Sequence, residues 1–278
     1  VHEGAQQTGS VASLIGPAGP GQLHVMSYNL RYAADDPAHL WEQRRPAMAE
    51  LLTREKPCVI GTQEGLFGQV TDVAADLPEG YEWIGLGREG GSRGEYAAVF
   101  YDARRLTPVE YNHVWLSSTP AVIGSTTWGN VLPRMATWVR FRVGGAGELV
   151  VVNTHLDNDS AAARQQAAAQ LTELISLMAP MPVILTGDFN TAAEASEPYQ
   201  MLTESAGLTD TWPAAAERRT PAYATYGGYA PPRVGGDRID WILAAPGIES
   251  EVAGINPFSL NGRFPSDHLP VQALLRLP

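Results

Sequence analysis

No stretch of this chain approaches the roughly 20 consecutive apolar residues that a membrane span requires, so the sequence contains no transmembrane helix. Cysteine is nearly absent. Cys58 stands alone, which excludes an internal disulfide and leaves the redox compartment open. Lysine is equally scarce: Lys56 is the only one, and the remaining basic residues are arginines, a bias of base composition more than of function. Positive charge is outnumbered throughout. A formal net charge of −11 argues against broad binding of a nucleic-acid backbone, which depends on many cationic contacts. It leaves room for an enzyme that meets one phosphate locally through a metal, because a cluster of carboxylates at a metal site is itself acidic. Internal repeats and long polar linkers are also missing, so the 278 residues are expected to form one domain with a substantial core.

The opening stretch, "VHEGAQQTGSVASLIGPAGPGQ", has neither the charged nor the long apolar segment of a signal peptide. Its Gly, Ser and Gln content predicts a flexible lead-in over residues 1–21, followed by the domain over 22–278. A start at Val1 fits a trimmed, exported chain; a cytoplasmic protein is the alternative expectation. The protein is expected to be a monomer.

Hydrophobic periodicity places the elements. "QLHVMSYN" alternates as a strand ending at Asn29, and "LWEQRRPAMAELLTRE" spaces Trp41, Met48, Leu51 and Leu52 as a helix with Pro46 in its early part. "PCVIGTQE" is a short buried strand ending at Glu64. "EYAAVFYD" and "VEYNHVWL" are further strands, and "MATWVRFRV" pairs with "ELVVVNTH" across "GGAG" as a hairpin. After Ser160, the residues Ala167, Leu171, Leu174, Ile175 and Met178 form one apolar helical stripe. "MPVILTGDFN" is a strand, "EPYQMLTES" a short helix, and "TPAYATYGGYAPPRVGG" a surface loop. "DRIDWILA" and "LPVQALLRL" close the chain as strands. Hairpins mixed with crossover helices predict packed sheets with helices outside.

Strand after strand ends on a polar residue: Asn29, Glu64, His155, Asp188 with Asn190, and then Asp267 with His268 in "RFPSDHLP". Each has an ordinary explanation. Asn29 can satisfy backbone at a strand end, "GDFN" can cap a helix, and "SDH" before proline can be a turn. Together they share a chemical logic. A hard divalent cation takes oxygen ligands from one or two carboxylates beside water and a substrate phosphate. Glu64 is the natural ligand, with Asn29 and Asp267 sharing the ion or its waters. Asp188 can orient or deprotonate a water, and Asn190 can donate to phosphoryl oxygens as charge builds. His155 and His268 each need an acid to fix the ring tautomer, and Glu95 and Asp240 are the candidates.

"MSYNLR", "GTQE", "GEYAAVFY", "LPRMATW", "VVNTHLDN", "LTGDFN", "DRIDWIL" and "SDHLPV" occur in the order expected of the endonuclease/exonuclease/phosphatase superfamily, which the chain resembles from about Gln22 to its end. The resemblance implies a four-layer α/β sandwich of two mixed sheets face to face with helices outside, and phosphoester hydrolysis with Mg²⁺ or Mn²⁺. It implies that Asn29 and Glu64 form the metal-site pair and that His155 contacts the scissile phosphate with Glu95 as its partner. Asp188 and Asn190 resemble the water-orienting and phosphate-binding pair. Asp267 and His268 resemble the terminal acid and the general base, the latter supported by Asp240, and base duty is shared between His268 and Asp188.

Substrate class stays open. Basic residues are scattered, which disfavours a nuclease surface. "GGDRIDWIL" lacks the Trp and Pro that an inositol polyphosphate 5-phosphatase would carry before "DR". The tyrosines of the 220s loop raise a sphingomyelinase-like headgroup hydrolase as an alternative. A phosphatase or phosphodiesterase acting on a small or medium phosphorylated molecule or nucleotide is favoured, ahead of a nuclease and far ahead of a non-catalytic binding protein. Arg31 and Arg134 are candidate phosphate contacts, each balanced against a plain salt bridge. Trp128 is a candidate stacking residue, balanced against a place in the core.

Overall fold

A computed structural model describes residues 12–145 and 147–278. The chain builds strand β1 (Gln22–Asn29), helix α1 (Trp41–Glu55), β2 (Val59–Gln63), α2 (Phe67–Asp76), β3 (Tyr81–Ile84), β4 (Val99–Asp102), β5 (Leu106–Trp115), β6 (Met135–Val143), β7 (Gly147–His155), α3 (Ala161–Leu177) and β8 (Val183–Asp188). There follow α4 (Glu197–Gln200) running into a π-helical turn at Met201–Ser205, β9 (Thr209–Asp210), α5 (Thr211–Ala214), β10 (Glu217–Arg218), β11 (Asp240–Ala244), β12 (Glu249–Ile255) and β13 (Val271–Arg276). One seven-stranded sheet runs β10-β12-β13-β1-β2-β4-β3, and a six-stranded sheet runs β5-β6-β7-β8-β11-β9. Both are mixed: β1 pairs parallel with β2, and β7 parallel with β8, among antiparallel neighbours.

Side-chain alternation explains the layering. Successive residues of a strand point to opposite faces. On β1, Leu23 and Val25 face the second sheet, while Met26 and Tyr28 pack under α1 with Met48, Leu51 and Leu52. On β7, Val151 faces inward, while Val150 and Val152 lie against Ala167, Leu171 and Ile175 of α3. The order is therefore helices, sheet, sheet, helix: the four-layer α/β sandwich. Helix α1 continues through Pro46, and Ser160 caps α3 by accepting the Ala163 N–H at 3.1 Å. Among the described residues, no helix is long and apolar enough to cross a membrane.

The inward rows change character along their length. Apolar Leu23, Val25, Val59, Val151 and Ile184 give way to Ser27, Gly61, Gln63, Asn153 and Thr186, and these to Asn29, His155 and Asp188. Asn153 joins the sheets within this polar band. Its Nδ2 donates to the carbonyls of Thr62 (2.8 Å) and Ala98 (3.0 Å) across the interface, and its Oδ1 accepts from Gln63 Nε2 (2.8 Å) and Thr186 Oγ1 (3.0 Å). Gly61 makes this close approach possible, because a Cβ there would sit 2.1 Å from Thr186 Oγ1.

The expected flexible lead-in needs correction over its second half. Residues 1–11 lie outside the described residues. The N–H groups of Leu14, Ile15 and Gly16 all donate to the Glu55 carboxylate, at 2.6, 3.0 and 3.0 Å, which ties this segment to the end of α1. Six described elements were not anticipated from sequence: α2, β3, β12 and the short β9–α5–β10 run.

Two outcomes follow from these buried polar groups. Asn153→Leu removes three hydrogen bonds to the opposite sheet, those to the Thr62 and Ala98 carbonyls and the one from Gln63 Nε2, each worth roughly 1 kcal/mol net. The urea midpoint should fall by the equivalent of about 2–4 kcal/mol with the slope unchanged; stability within about 0.5 kcal/mol of wild type would contradict the role. His24 is fully buried, its Nδ1 against the Gly16 carbonyl at 2.8 Å. Burial lowers its pKa to about 4, partly opposed by Glu55. Its neutral ring thus supports folding above the ordinary value near 6.5, and that support fades as pH falls toward 4, by at most about 3 kcal/mol. Denaturation series between about pH 7 and about pH 4.5 should show a shallower acid decline in His24→Phe. Equal slopes would rule His24 out as a source of acid sensitivity.

Candidate active site

Register brings the polar strand ends together. His155 of β7 lies opposite Asp188 of β8, and Asp188 lies opposite Asp240 of β11, so three adjacent strands of one sheet end side by side. On the facing sheet Asn29 of β1 pairs with Gln63 of β2, immediately before Glu64. The loop before β13 carries Asp267 and His268 alongside β1, and Ser266 Oγ donates to the Asn29 carbonyl at 2.7 Å to hold it there.

Asp188 is the hub. It is 1% exposed; its Oδ2 accepts from Asn29 Nδ2 at 2.9 Å and its Oδ1 from the Asn190 N–H at 2.9 Å. The two imidazoles approach the same Oδ2, His155 Nε2 at 3.5 Å and His268 Nε2 at 3.7 Å. Burial, reinforced by the Asp240 carboxylate, raises Asp188 to about 7. His268 is set by Asp240, whose Oδ2 lies 2.9 Å from Nδ1 and accepts the hydrogen bond of its N–H. Burial alone would disfavour the imidazolium, but the Asp240 and Asp188 carboxylates outweigh it and raise His268 to about 10.

Asn29 Nδ2 also donates to Glu64 Oε1 at 2.9 Å, while its Oδ1 accepts the Arg31 N–H at 2.9 Å. In this arrangement Asn29 bridges and orients the two acids, Glu64 and Asp188. Arg31 spans the other two acids, 3.8 Å from Glu64 and 3.7 Å from Asp267. Asp267 is pushed up by burial and by Glu64, against the pull of His268 and Arg31. Arg31, Glu64 and Asn190 all adopt left-handed backbone, with φ of 54°, 62° and 51°. Each such non-glycine residue costs on the order of 1 kcal/mol, and the surrounding hydrogen bonds hold them there.

Among the described residues one cluster could hold a metal ion. Ligand atoms of Glu64, Asp188 and His268 lie within 4.8 Å of one another, and Asp267 adds a buried acid beside them. Two of its neighbouring buried carboxylates, Asp188 and Asp267, are raised above their ordinary range, a strain that a nearby cation would relieve.

Glu95 departs from its expected place as the partner of His155. Its Oε2 accepts from Arg88 Nη1 at 2.8 Å and stands 3.9 Å from His155 Nδ1. The nitrogen is met instead by Arg134 Nη1 at 3.1 Å. Arg134 is 5% exposed and spends its remaining groups on Asn158 Oδ1 (2.6 Å) and Asp157 (3.5 Å), so it borders the cleft while serving its wall. Trp128 lies outside the cleft, its Nε1 donating to Ser118 Oγ at 2.9 Å and its ring packed on the α3 side of the core.

The cleft has a volume of about 340 Å³ and gathers Arg31, Glu64, Glu95, Arg134, His155, Asp188, Asn190, Asp267 and His268. A larger depression of about 800 Å³ beneath α3 holds none of them. Sequence reasoning missed the walls: Tyr32, Leu132, Asn158, Tyr226 and Ile239. The Tyr226 ring lies 5.1 Å from that of His268, so the Gly- and Tyr-rich loop closes one side. It also missed Arg44. This fully buried α1 side chain donates to the carbonyls of Leu30, Arg31, His39 and Pro265, clamping the loop after β1 to the loop that carries Asp267.

Comparison with known proteins agrees with this geometry. The model of the Endonuclease/Exonuclease/phosphatase family matches residues 26–268. Among solved structures, a mannosyl-6-phosphatase from Bacteroides thetaiotaomicron is 32% identical with a TM-score of 0.85, over 91% of this chain and 99% of that one. A family protein from Bacteroides vulgatus is 30% identical with a TM-score of 0.86, over 92% and 99%. The human nocturnin catalytic domain, solved with a bound sulfate, shares the fold at 19% identity and a TM-score of 0.72, over 93% and 96%. No curated protein sequence matches the chain. With the family model spanning most of its length and strand ends converging on one acidic cleft, the chain belongs to the Endonuclease/Exonuclease/phosphatase family and has the fold of a phosphoester hydrolase.

Proposed function

We propose that the protein is a divalent-metal-dependent phosphatase that uses water to cleave a small phosphorylated molecule, with a sugar phosphate as the first choice of substrate. The observation that carries this reading is the size and lining of the cleft. At about 340 Å³ it falls near the lower end of small-molecule sites, and Leu132, Asn158, Tyr226 and Ile239 wall it in. The net charge of −11 argues against an extended nucleic-acid track. The 32% identity to a mannosyl-6-phosphatase supports the substrate class.

Glu64 and Asp267, oriented with the help of Asn29, would hold Mg²⁺ or Mn²⁺. When bound, such an ion offsets negative charge on the phosphoryl oxygens. His268, its tautomer fixed by Asp240, faces Asp188, and the pair receives the proton of the attacking water. The Asn190 amide and the His155 ring, now in contact with each other, border the opposite side, where they would turn to meet phosphoryl oxygens.

Release of phosphate from sugar phosphates, nucleotides and p-nitrophenyl phosphate, with bis-p-nitrophenyl phosphate and plasmid DNA alongside, tests the reading. Metal-dependent turnover of monoesters should exceed that of both diesters, and His268→Ala and Asp188→Ala should each lose at least about a hundredfold. Preferred cleavage of plasmid DNA would replace the phosphatase reading with a nuclease. Titration calorimetry with Mn²⁺ checks the metal separately: Glu64→Gln should weaken binding about tenfold or more. An unchanged isotherm would remove Glu64 from the ligand set.

A further inference from the structure

In "TYGGY" an aromatic side chain stands between a buried hydroxyl residue and two glycines. Thr225 anchors one side. It is fully buried, its Oγ1 accepts the N–H groups of Ile239 (2.9 Å) and Asp240 (3.1 Å), and its carbonyl accepts that of Leu269 (2.7 Å). Gly227 and Gly228 anchor the other side, both N–H groups donating to the Asp267 carbonyl, at 2.9 and 3.2 Å. Tyr226 therefore sits between two fixed points, on backbone bonded to the loop that carries Asp267 and His268. A residue held in this way is already ordered when a ligand arrives, which removes part of the entropic cost of binding.

A well-anchored tyrosine beside a sheet ordinarily buries its ring. Tyr226 stays 55% exposed, with its ring 5.1 Å from that of His268 and its remaining surface in the cleft. The two glycines put no side chain over it; a Cβ on Gly228 would stand 3.8 Å from the phenol oxygen. Tyr32, the other tyrosine lining the cleft, is less open and has the Arg31 guanidinium over its ring at 4.5 Å. Tyr226 is thus the open aromatic surface of the site.

The chemistry of that surface narrows what can lie on it. A pyranose carries hydroxyls around its edge and C–H groups on its faces. An exposed phenol ring matches such a face: apolar area is buried on both partners while the tyrosine hydroxyl stays at the wet edge. Leu132, two residues from Arg134 on the His155 side, adds apolar surface from another wall, and Asn158 adds a polar group there. A few polar groups among apolar walls are what fixes the orientation of a small ligand.

We propose that Tyr226 is a specificity-determining residue: its ring is the platform for the apolar face of a sugar whose phosphate lies in the cleft. This assignment rests on the phosphatase reading and adds to it a preference for a ring-shaped alcohol over an open-chain one. A tyrosine that only supported His268 would affect every monoester alike.

The test is the ratio of kcat/KM for mannose 6-phosphate to that for glycerol 3-phosphate, measured on the full chain with Mg²⁺ supplied and with adenosine monophosphate alongside. Wild type should favour the sugar. Tyr226→Ala should lower the ratio about tenfold, chiefly through KM for the sugar phosphate. Tyr226→Phe and Tyr226→Trp, which keep a flat ring, should hold the ratio to within about twofold. Should the alanine variant fail to fold, Tyr226→Leu, apolar but not flat, reads the same ratio. An unchanged ratio on losing the ring, with both substrates falling together, overturns the platform and leaves Tyr226 as support for His268. Wild-type preference for adenosine monophosphate over both overturns the sugar as its occupant. Absence of turnover on all three monoesters retracts the phosphatase reading itself, and the platform with it.

Discussion

A carboxylate buried between two sheets is the constraint around which this molecule is organised. Asp188 has almost no contact with solvent, and an uncompensated charge in such a place costs several kcal/mol. Its neighbours answer that cost from both sheets: Asn29 from the first, Asn190 from its own strand end, and two imidazoles from either flank. Nothing local to "LTGDFN" supplies Asn29 or His268. They arrive because β1 and the loop before β13 belong to a sheet packed face to face with the one holding β8. The sandwich thus positions the acid, and the acid explains the polar company at one end of the sandwich.

The same constraint grades the interior. Inward-facing rows begin apolar, pass through a band of Ser27, Gln63, Asn153 and Thr186, and end in the cleft. The middle band has a mechanical role, since Asn153 satisfies groups of both sheets just below the site and fixes their separation there. Arg44 does the same for the rim by tying four backbone carbonyls together from beneath. Rigid support of this kind is what lets Arg31, Glu64 and Asn190 persist in left-handed backbone at the cleft edge.

Much of this was legible in the sequence wherever a signal repeats with the period of the element. The β1 strand matches its predicted span, and the apolar stripes of α1 and α3 mark helices that bury most of those residues. The members of the cleft could be listed because each follows a run of alternating apolar residues at a strand end. Helix α2 escaped notice because Gly68 sits in its first turn and only Val70 and Val73 of its apolar residues are buried. Strand β12, "ESEVAGI", hides behind two acids and a glycine. Pairings were the least readable. Which group meets His155 depends on Arg88 and Arg134, which are distant in sequence from the ring and from each other, and a motif places Glu95 near it without showing that an arginine has already engaged the acid. Trp128 failed for the converse reason, its indole being occupied by Ser118 and by the core.

The most direct measurement is a crystal structure grown with Mn²⁺ and inorganic phosphate, with the ion located by its anomalous scattering. The account predicts manganese against the carboxylates of Glu64 and Asp267, and a phosphate whose oxygens reach Asn190 and His155. Manganese held elsewhere, or phosphate bound away from the cleft around Asp188, would contradict it.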